Sequence, residues 1–417
     1  MTAEIKERIE QIRRGEVPEG YKRGKLGVMP MEWKIVSFRQ MFRPLNRRNA
    51  SGNANVLTIS AQQGLISQNA FFTKNIASQN TENYFLLKRG DFAYNKSYSK
   101  GYPFGALKPL TLYESGIVSP LYICFSPLEE NPSPEYYAQY FDAGLMNGEI
   151  QAFAQEGARN HGLLNISVRD FFNSSLIFPT PEEQWRIAEI LSAQDKVIEL
   201  QERLLTEKRR QKKYLMQRLL TGKQRLSGFG GEWKILKAKN VFQSVTDKNH
   251  NGDLEVLSAT QDRGIIPRSE LEIDIKYDDS ALPDYKKVKS GNFVISLRSF
   301  QGGIEYSAYE GLVSPAYTIL ESKIPIDAAY YKQYFKSSRY IAQLQIAVYG
   351  IRDGKQISYD DFGFIEICYP PIEEQTAIAD ILSAADREID LLQRKLEEEK
   401  RKKKALSQLL LTGIVRT

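Results

Sequence analysis

Residues 181–226 read PEEQWRIAEILSAQDKVIELQERLLTEKRRQKKYLMQRLLTGKQRL, and residues 372–417 read IEEQTAIADILSAADREIDLLQRKLEEEKRKKKALSQLLLTGIVRT. The stretches align without a gap, with Glu183 on Glu374 and Gly222 on Gly413, at a constant offset of 191 residues. A register held over so long a stretch indicates two copies of one structural unit.

Each copy is predicted to form one long helix. Apolar residues recur at alternating steps of three and four, the spacing of a helix with a single apolar seam. Thr180 and Glu183 form a capping-box pattern at the start of the first helix, and Gly222 and Gly413 are placed to end the two helices. The predicted seam consists of Ile187, Leu191, Ile198, Leu205, Leu215 and Leu219 in the first copy, and of Ile378, Leu382, Ile389, Leu392, Leu396, Leu406 and Leu410 in the second.

The charge pattern predicts how the two helices pair. Each copy begins with acidic residues and carries a strongly basic block later, at 208–213 in the first and 400–404 in the second. A parallel pair would set the basic blocks side by side, whereas an antiparallel pair sets each basic block against an acidic start. We therefore expect an antiparallel coiled coil.

The composition indicates a soluble protein of several domains. The chain has 417 residues, a net charge of +6 and only two cysteines, Cys124 and Cys368. So few cysteines fit a reducing compartment, and no apolar run approaches the roughly 18 residues of a membrane-spanning helix. We expect a location in the cytoplasm.

The rest of the chain also repeats. Trp33 matches Trp233, and Tyr136-Tyr137 matches Tyr330-Tyr331. The fold class predicted is α+β, with two globular α+β domains separated by the two long antiparallel helices in an internal pseudo-two-fold repeat. The expected segments are a helix and connection at 1–30, a first domain at 31–180, a long helix at 181–226, a second domain at 227–370 and a second long helix at 371–417.

The N-terminal segment has a predicted place in this arrangement. The second copy stops shortly after Gly413, where the first continues past Gly222 to Trp233. Residues 1–32 can take over from the chain end and lead into Trp33. We therefore expect the N-terminal segment to pack against the end of the second long helix.

Known catalytic patterns are missing from the sequence. The only histidines, His161 and His250, occupy non-equivalent places in the two repeats, and no complete phosphate-binding loop is present. The two distant cysteines do not suggest a zinc site. The chain therefore resembles a binding protein more than an enzyme, and we predict no catalytic residue, no metal site and no cofactor within it.

Three loop groups in each repeat combine cationic, amide and hydroxyl side chains of the kinds that can contact DNA, and we predict that they form a DNA-binding surface. Arginine, asparagine and glutamine can bond base edges, whereas lysine and serine more often hold phosphates. The first loop group comprises Arg43, Arg47, Arg48 and Asn49 in the first repeat, and Lys248, Asn249, His250 and Asn251 in the second. The second loop group comprises Asn95, Lys96, Ser97, Tyr98 and Lys100, and Arg298, Ser299 and Gln301. The third loop group comprises Arg159, Asn160 and His161, and Arg352 and Lys355.

The chain resembles the specificity subunits of type I restriction–modification systems over nearly its whole length. The resemblance rests on the Glu-Glu-Gln helix starts, the Leu-Thr-Gly helix ends, the tryptophans Trp33 and Trp233 that open the domains, and the alternation of variable domain and constant helix. It implies two target recognition domains that read a bipartite, asymmetric site in double-stranded DNA, with the helices as spacer.

The resemblance also implies a bacterial or archaeal cell, and it implies partners for the chain. Two modification (methyltransferase) subunits would carry S-adenosylmethionine, and restriction (translocase and nuclease) subunits would use ATP and magnesium, while this chain is not itself catalytic. Two alternatives remain at this point: a fused enzyme with its own nuclease or methyltransferase activity, and a coiled-coil scaffold that binds no DNA.

Overall fold

The computed structural model describes residues 2–60, 63–68, 81–99, 101–128, 133–156, 164–271, 279–347 and 357–417. The chain divides into two units, the first made of Met1–Leu200 with Leu396–Thr417 and the second of Gln201–Lys395. Each unit therefore holds one globular domain together with one part of each long helix.

The first unit begins with helix α1 (Ala3–Arg13) and a hairpin of β1 (Tyr21–Gly24) and β2 (Gly27–Pro30). The expected plain connection before residue 30 was therefore wrong, because the glycine-containing stretch forms two paired strands. The N-terminal segment packs where it was predicted to pack. Arg8 Nη1 donates to the backbone carbonyl of Ile414 at 2.8 Å. The hydroxyl of Tyr21 donates to the backbone carbonyl of Gly413 at 2.9 Å.

The domain of the first unit is built on a four-stranded antiparallel sheet in the order β4-β11-β8-β9. Its strands are β3 (Lys34–Ser37), β4 (Phe42–Pro44), β5 (Leu57–Ser60), β6 (Gly64–Ser67), β7 (Phe85–Lys88), β8 (Phe92–Asn95), β9 (Ala106–Pro109), β10 (Ser115–Val118), β11 (Ile123–Pro127), β12 (Gln155–Glu156), β13 (Leu164–Asn165) and β14 (Ser175–Phe178). Its helices are α2 (Pro134–Asp142), α3 (Asn147–Phe153) and α4 (Val168–Asn173), and the first long helix, α5 (Pro181–Leu219), follows.

The domain of the second unit repeats this topology with the sheet order β16-β23-β20-β21. Its strands are β15 (Lys234–Lys237), β16 (Phe242–Val245), β17 (Leu257–Thr260), β18 (Gly264–Pro267), β19 (Lys286–Val288), β20 (Phe293–Ile295), β21 (Glu305–Tyr306), β22 (Gly311–Val313), β23 (Thr318–Ser322) and β24 (Glu366–Tyr369). Its helices are α6 (Ala238–Val241), α7 (Ser299–Gly302), α8 (Ala328–Tyr334), α9 (Ser338–Ala347) and α10 (Tyr359–Phe364), and the second long helix, α11 (Ile372–Leu411), follows.

Helices α2 and α8 are the equivalent aromatic helices of the two domains. Their paired tyrosines are fully buried and pack on phenylalanines of the central sheet, such as Phe42 and Phe242. Each helix has a side-chain cap, because Ser133 Oγ accepts from the backbone of Tyr136 and Asp327 Oδ1 from that of Tyr330. The sequence predicted one such helix per domain and missed the shorter helices that follow it.

The predicted seam is buried or half-buried throughout, from Ile187 to Leu219 and from Ile378 to Leu410. Its outer members do more than pair two helices. Ile187, Leu191 and Leu410 belong to the core of the first domain, whereas Leu219, Ile378 and Leu382 belong to the core of the second. The core of each globular domain is therefore continuous with the helix ends next to it.

The helices are antiparallel in each unit, as the charge pattern predicted. In the first unit the ammonium of Lys403 lies 2.5 Å from a carboxylate oxygen of Asp195, and Gln194 Nε2 donates to Glu399 at 2.6 Å. In the second unit Lys208 pairs with Glu388 at 2.6 Å. Each basic block therefore lies against an acidic start.

Candidate nucleic-acid interface

A buried glutamate joins domain and helices in the first unit. Glu183, at the start of α5, accepts from Trp33 Nε1 at 2.7 Å and from Arg416 Nε at 2.5 Å. The Thr180 hydroxyl accepts from the backbone of Glu183 at 3.4 Å, as a cap should. The Glu183 carboxylate also accepts from the Thr180 hydroxyl at 3.1 Å, so the cap residue, the tryptophan and the arginine all donate to one carboxylate.

The second unit repeats this arrangement with equivalent residues. Glu374 has a fully buried side chain and accepts two bonds of 2.7 Å from Arg225 and one of 2.8 Å from Trp233 Nε1. Arg225 and Arg416 each lie three residues after the glycine that ends a long helix. We call each Trp-Glu-Arg set a latch, since it joins the start of a domain, the start of one helix and the end of the other.

A second repeated set ties each aromatic helix to both long helices. In the first unit Gln139 Nε2 donates to Asp195 at 2.7 Å, and Asp195 pairs with Lys403. In the second unit Gln333 donates to Asp386 at 2.6 Å, and Asp386 pairs with Lys212. These contacts fix how each domain, with its variable loops, is held on the helices.

One ion pair has opposite polarity in the two domains. Lys108 pairs with Asp142 in the first, and Glu305 with Lys336 at 2.6 Å in the second, at equivalent strand positions and directly after the shared Tyr-Phe of each aromatic helix. Burial opposes ionisation of Asp142, yet Lys108, Tyr102 and Lys403 hold the pKa of its carboxyl below the usual value. Burial dominates at Glu305 and raises its pKa.

The first loop group of the first repeat packs on segment 83–91. Arg47 pairs with Asp91, and Arg48 lies over the ring of Phe85 at 4.0 Å and donates to the carbonyl of Asn83. Asn49 is buried, and its amide bonds the backbone of Asn53 in both directions. Arg43 is exposed on β4. Most of this group therefore shapes its loop, and Arg43 presents the freest guanidinium.

The same loop group in the second repeat packs on segment 284–287. His250 Nε2 bonds the carbonyl of Tyr285 at 2.9 Å, and its Nδ1 accepts from the backbone of Gly252 at 3.2 Å. These partners assign the proton to Nε2. Lys248 pairs with Asp284 at 3.2 Å on the surface, and Asn249 and Asn251 are exposed. The two asparagines and Lys248 are the members that point outward.

The second loop group contains both outward and inward side chains. Tyr98 is 64% exposed, whereas Asn95 Oδ1 accepts from the backbone of Ser97 and burial lowers the pKa of Lys96. In the second repeat Arg298 and Gln301 are exposed. Ser299 is buried, with its hydroxyl accepting from the backbone of Ser296 at 2.8 Å.

The third loop group lies outside the described residues. Its members are Arg159, Asn160, His161, Arg352 and Lys355, and Lys100 of the second loop group is also outside them. The first and second loop groups contact different segments of their domains. DNA contact by any of the three groups stays a prediction.

Sequence reasoning missed the residues that position these loops. Arg225 and Arg416 match at the same 191-residue offset as the helices, and Gln139 and Gln333 match in the aromatic helices. The sequence repeat could therefore have indicated both the arginine pair and the glutamine pair.

The comparisons with known proteins agree with this architecture. The family model described as "Type I restriction modification DNA specificity domain" matches residues 231–400. The putative type I restriction enzyme MjaX specificity subunit of Methanocaldococcus jannaschii is 23% identical over 435 aligned residues, covering 95% of this chain and 97% of that protein. The chain is similar over nearly its whole length to a specificity subunit of a type I restriction–modification system.

Further relatives agree. The MjaVIII specificity subunit of the same organism is 26% identical over 302 residues, covering 64% of this chain and 68% of that protein. A chain solved in a study of assembly and conformational transition of the type I R-M system superposes with a TM-score of 0.56, at 17% identity, over 93% of this chain and 99% of that one. The S subunit from M. genitalium gives a TM-score of 0.55 at 12% identity, over 91% and 96%. These structures share the fold.

In the part of the chain that the structure describes, no helix is both long and apolar enough to cross a bilayer.

Proposed function

We propose that this chain is the DNA-reading subunit of a type I restriction–modification complex and recognises a bipartite, asymmetric site. One observation carries the proposal: two domains of the same topology are joined to antiparallel helices by the same latch, while their loops differ in sequence. A constant scaffold that carries two different sets of loops is suited to the recognition of two different half-sites. The half-sites would lie about one turn of DNA apart.

The partners proposed are two modification subunits and restriction subunits. The long helices offer a surface for them, because a second apolar stripe faces outward. Ile190, Val197 and Leu200 are exposed on α5 in the first unit, and Ile381 and Leu391 on α11 in the second. Apolar residues spaced along a solvated helix face favour docking of another helix.

The chemistry is proposed to lie on those partners. S-adenosylmethionine would be bound by the modification subunits, and ATP and magnesium by the restriction subunits, while this chain supplies sequence recognition and no catalytic group. In this proposal the exposed side chains of the loop groups, such as Arg43, Arg298 and Gln301, contact the duplex.

DNA binding by the purified chain tests the proposal against its two alternatives. Filter binding of duplex DNA at low and high salt should show affinity that falls steeply as salt rises, since cations on the protein displace counterions from phosphates. A scaffold would show no salt-dependent binding. A fused enzyme would cut or methylate the duplex without added subunits.

A further inference from the structure

The outer face of a two-stranded sheet is covered in the first unit. Strands β3 and β14 pair with Ile35 opposite Ile177. The hairpin β1–β2 lies on this face, and its backbone at Gly24 is so close that an added Cβ would lie 2.7 Å from Ile35 Cδ1. Lys25, at the turn of the hairpin, bonds Glu149 Oε2 at 3.0 Å and Ser175 Oγ at 3.2 Å.

The equivalent face of the second unit is uncovered. Strands β15 and β24 pair with Ile235 opposite Cys368, at the positions of Ile35 and Ile177. Residues 220–233, which precede this sheet, form turns and no strand. Ile235 is consequently 63% exposed, and Phe364, two residues before the start of β24, is 62% exposed.

The polar surroundings also lack what the hairpin supplies. Gln343 stands where Glu149 receives Lys25, and among the described residues its buried Oε1 has no hydrogen-bond partner. Lys237 and Lys239 hold their ammonium groups 5.6 and 4.7 Å from the ring centroid of Phe364. The face therefore combines two exposed apolar side chains with two lysines and one exposed carboxylate, that of Glu366, which lies opposite Lys237 on β24.

We propose that this face, defined by Ile235, Lys237, Lys239 and Phe364, docks an acidic segment with apolar side chains from one modification subunit. The lysines call for carboxylates, and the exposed Ile235 and Phe364 favour a protein segment over a DNA backbone, which offers no apolar surface. The first unit supplies the precedent, since a protein hairpin covers the same face there. This inference rests on the proposed function.

The asymmetry between the units gives the proposal its distinctive consequence. The chain covers this face itself in the first unit, so the site occurs once per chain. The two modification subunits are then held unequally, and only the one beside the second recognition domain gains this contact.

Stepwise assembly of the full-length chain with purified modification subunit, followed by native mass spectrometry, tests the proposal. The I235D/F364D and K237E/K239E variants should accumulate a complex with one modification subunit, with the second binding step weakened about 10-fold or more. The L112D/L121D variant is the matched control, because it adds the same charges at leucines that are 56% and 62% exposed in the first unit. It should form the complex with two subunits like the unmodified chain.

Hydrogen exchange in the unmodified chain removes any dependence on how the variants fold. Residues 234–239 and 362–368 should become protected when the second modification subunit binds. Unchanged exchange there, or normal two-subunit assembly by both variants, would overturn the proposal. Normal two-subunit assembly by K237E/K239E together with a weaker salt dependence of its DNA affinity would also overturn the proposal, because the lysines would then contact DNA phosphates. An unmodified chain that binds no modification subunit would instead contradict the proposed function itself.

Discussion

Replacing Glu374 by glutamine should loosen the second recognition domain from its helices. The Glu374 carboxylate is fully buried and accepts three hydrogen bonds, two from Arg225 and one from Trp233. Glutamine keeps the shape but has one oxygen and no charge, so one buried donor loses its acceptor.

The size of the effect follows from the bonds lost. A hydrogen bond to a charged group contributes about 1.5–3 kcal/mol, and a buried donor left unpaired adds a cost of its own. We expect E374Q to lower the free energy of local opening at the latch by about 2 kcal/mol, which corresponds to roughly 30-fold faster exchange.

Native-state hydrogen exchange measures this opening directly, because it reports local unfolding without requiring the whole chain to unfold in one step. Residues 225–233 and 370–378 should exchange faster in E374Q. The matched control is E373Q, which changes the exposed neighbouring glutamate. In the first unit E183Q should act on residues 30–36 and 412–416 in the same way. Exchange in E374Q equal to that in E373Q would refute the latch.

Three further predictions concern reading, titration and symmetry. Substituting Arg298 by alanine should cost about 1–3 kcal/mol of DNA binding and relax one position of one half-site. Lys96→Ala, at a lysine expected to hold phosphate, should lower the slope of log affinity against log salt concentration by about one without changing the sequence recognised. Competitive binding to a library of sites checks both. The pKa of Asp142 is depressed, so its stabilisation of the first domain should be lost as the pH falls through that depressed value. The pKa of Glu305 is raised, so its contribution to the second domain should be present at low pH and lost as the pH rises through that raised value. Hydrogen exchange of each domain across the acid range should show these opposite trends. A half-chain of residues 1–226 should form a two-fold symmetric dimer in which each copy supplies the latch arginine to the other. With modification subunits added, this dimer should direct methylation to an interrupted palindrome. A half-chain that stays monomeric, or that directs methylation to a non-palindromic site, would contradict the role of the helix pair.

The helices and the repeat could be predicted because their patterns depend on short-range geometry. Three-four spacing fixes the seam on one helix face, and Gly222 and Gly413 adopt φ values of +69° and +72°, which favour glycine after a helix. Charge alone sufficed for the antiparallel orientation, since an acidic start and a basic block recur in both copies.

The loop side chains could be predicted only in part. The side chains of Asn49, Ser299 and His250 form hydrogen bonds with nearby backbone groups. Residue type alone therefore did not distinguish a residue that contacts DNA from one that stabilises its own loop. The hairpin at 21–30 escaped prediction because its strands are only four residues long. The reversed ion pair depends on residues brought together by the sheet.

The central claim is that two recognition domains read two different half-sites. Methylome sequencing of cells with and without this chain tests it most directly. We predict a split, non-palindromic methylated motif, with half-sites about one turn of DNA apart, that disappears when the chain is removed. A methylation pattern unchanged by its removal, or a palindromic motif lost with it, would contradict the account.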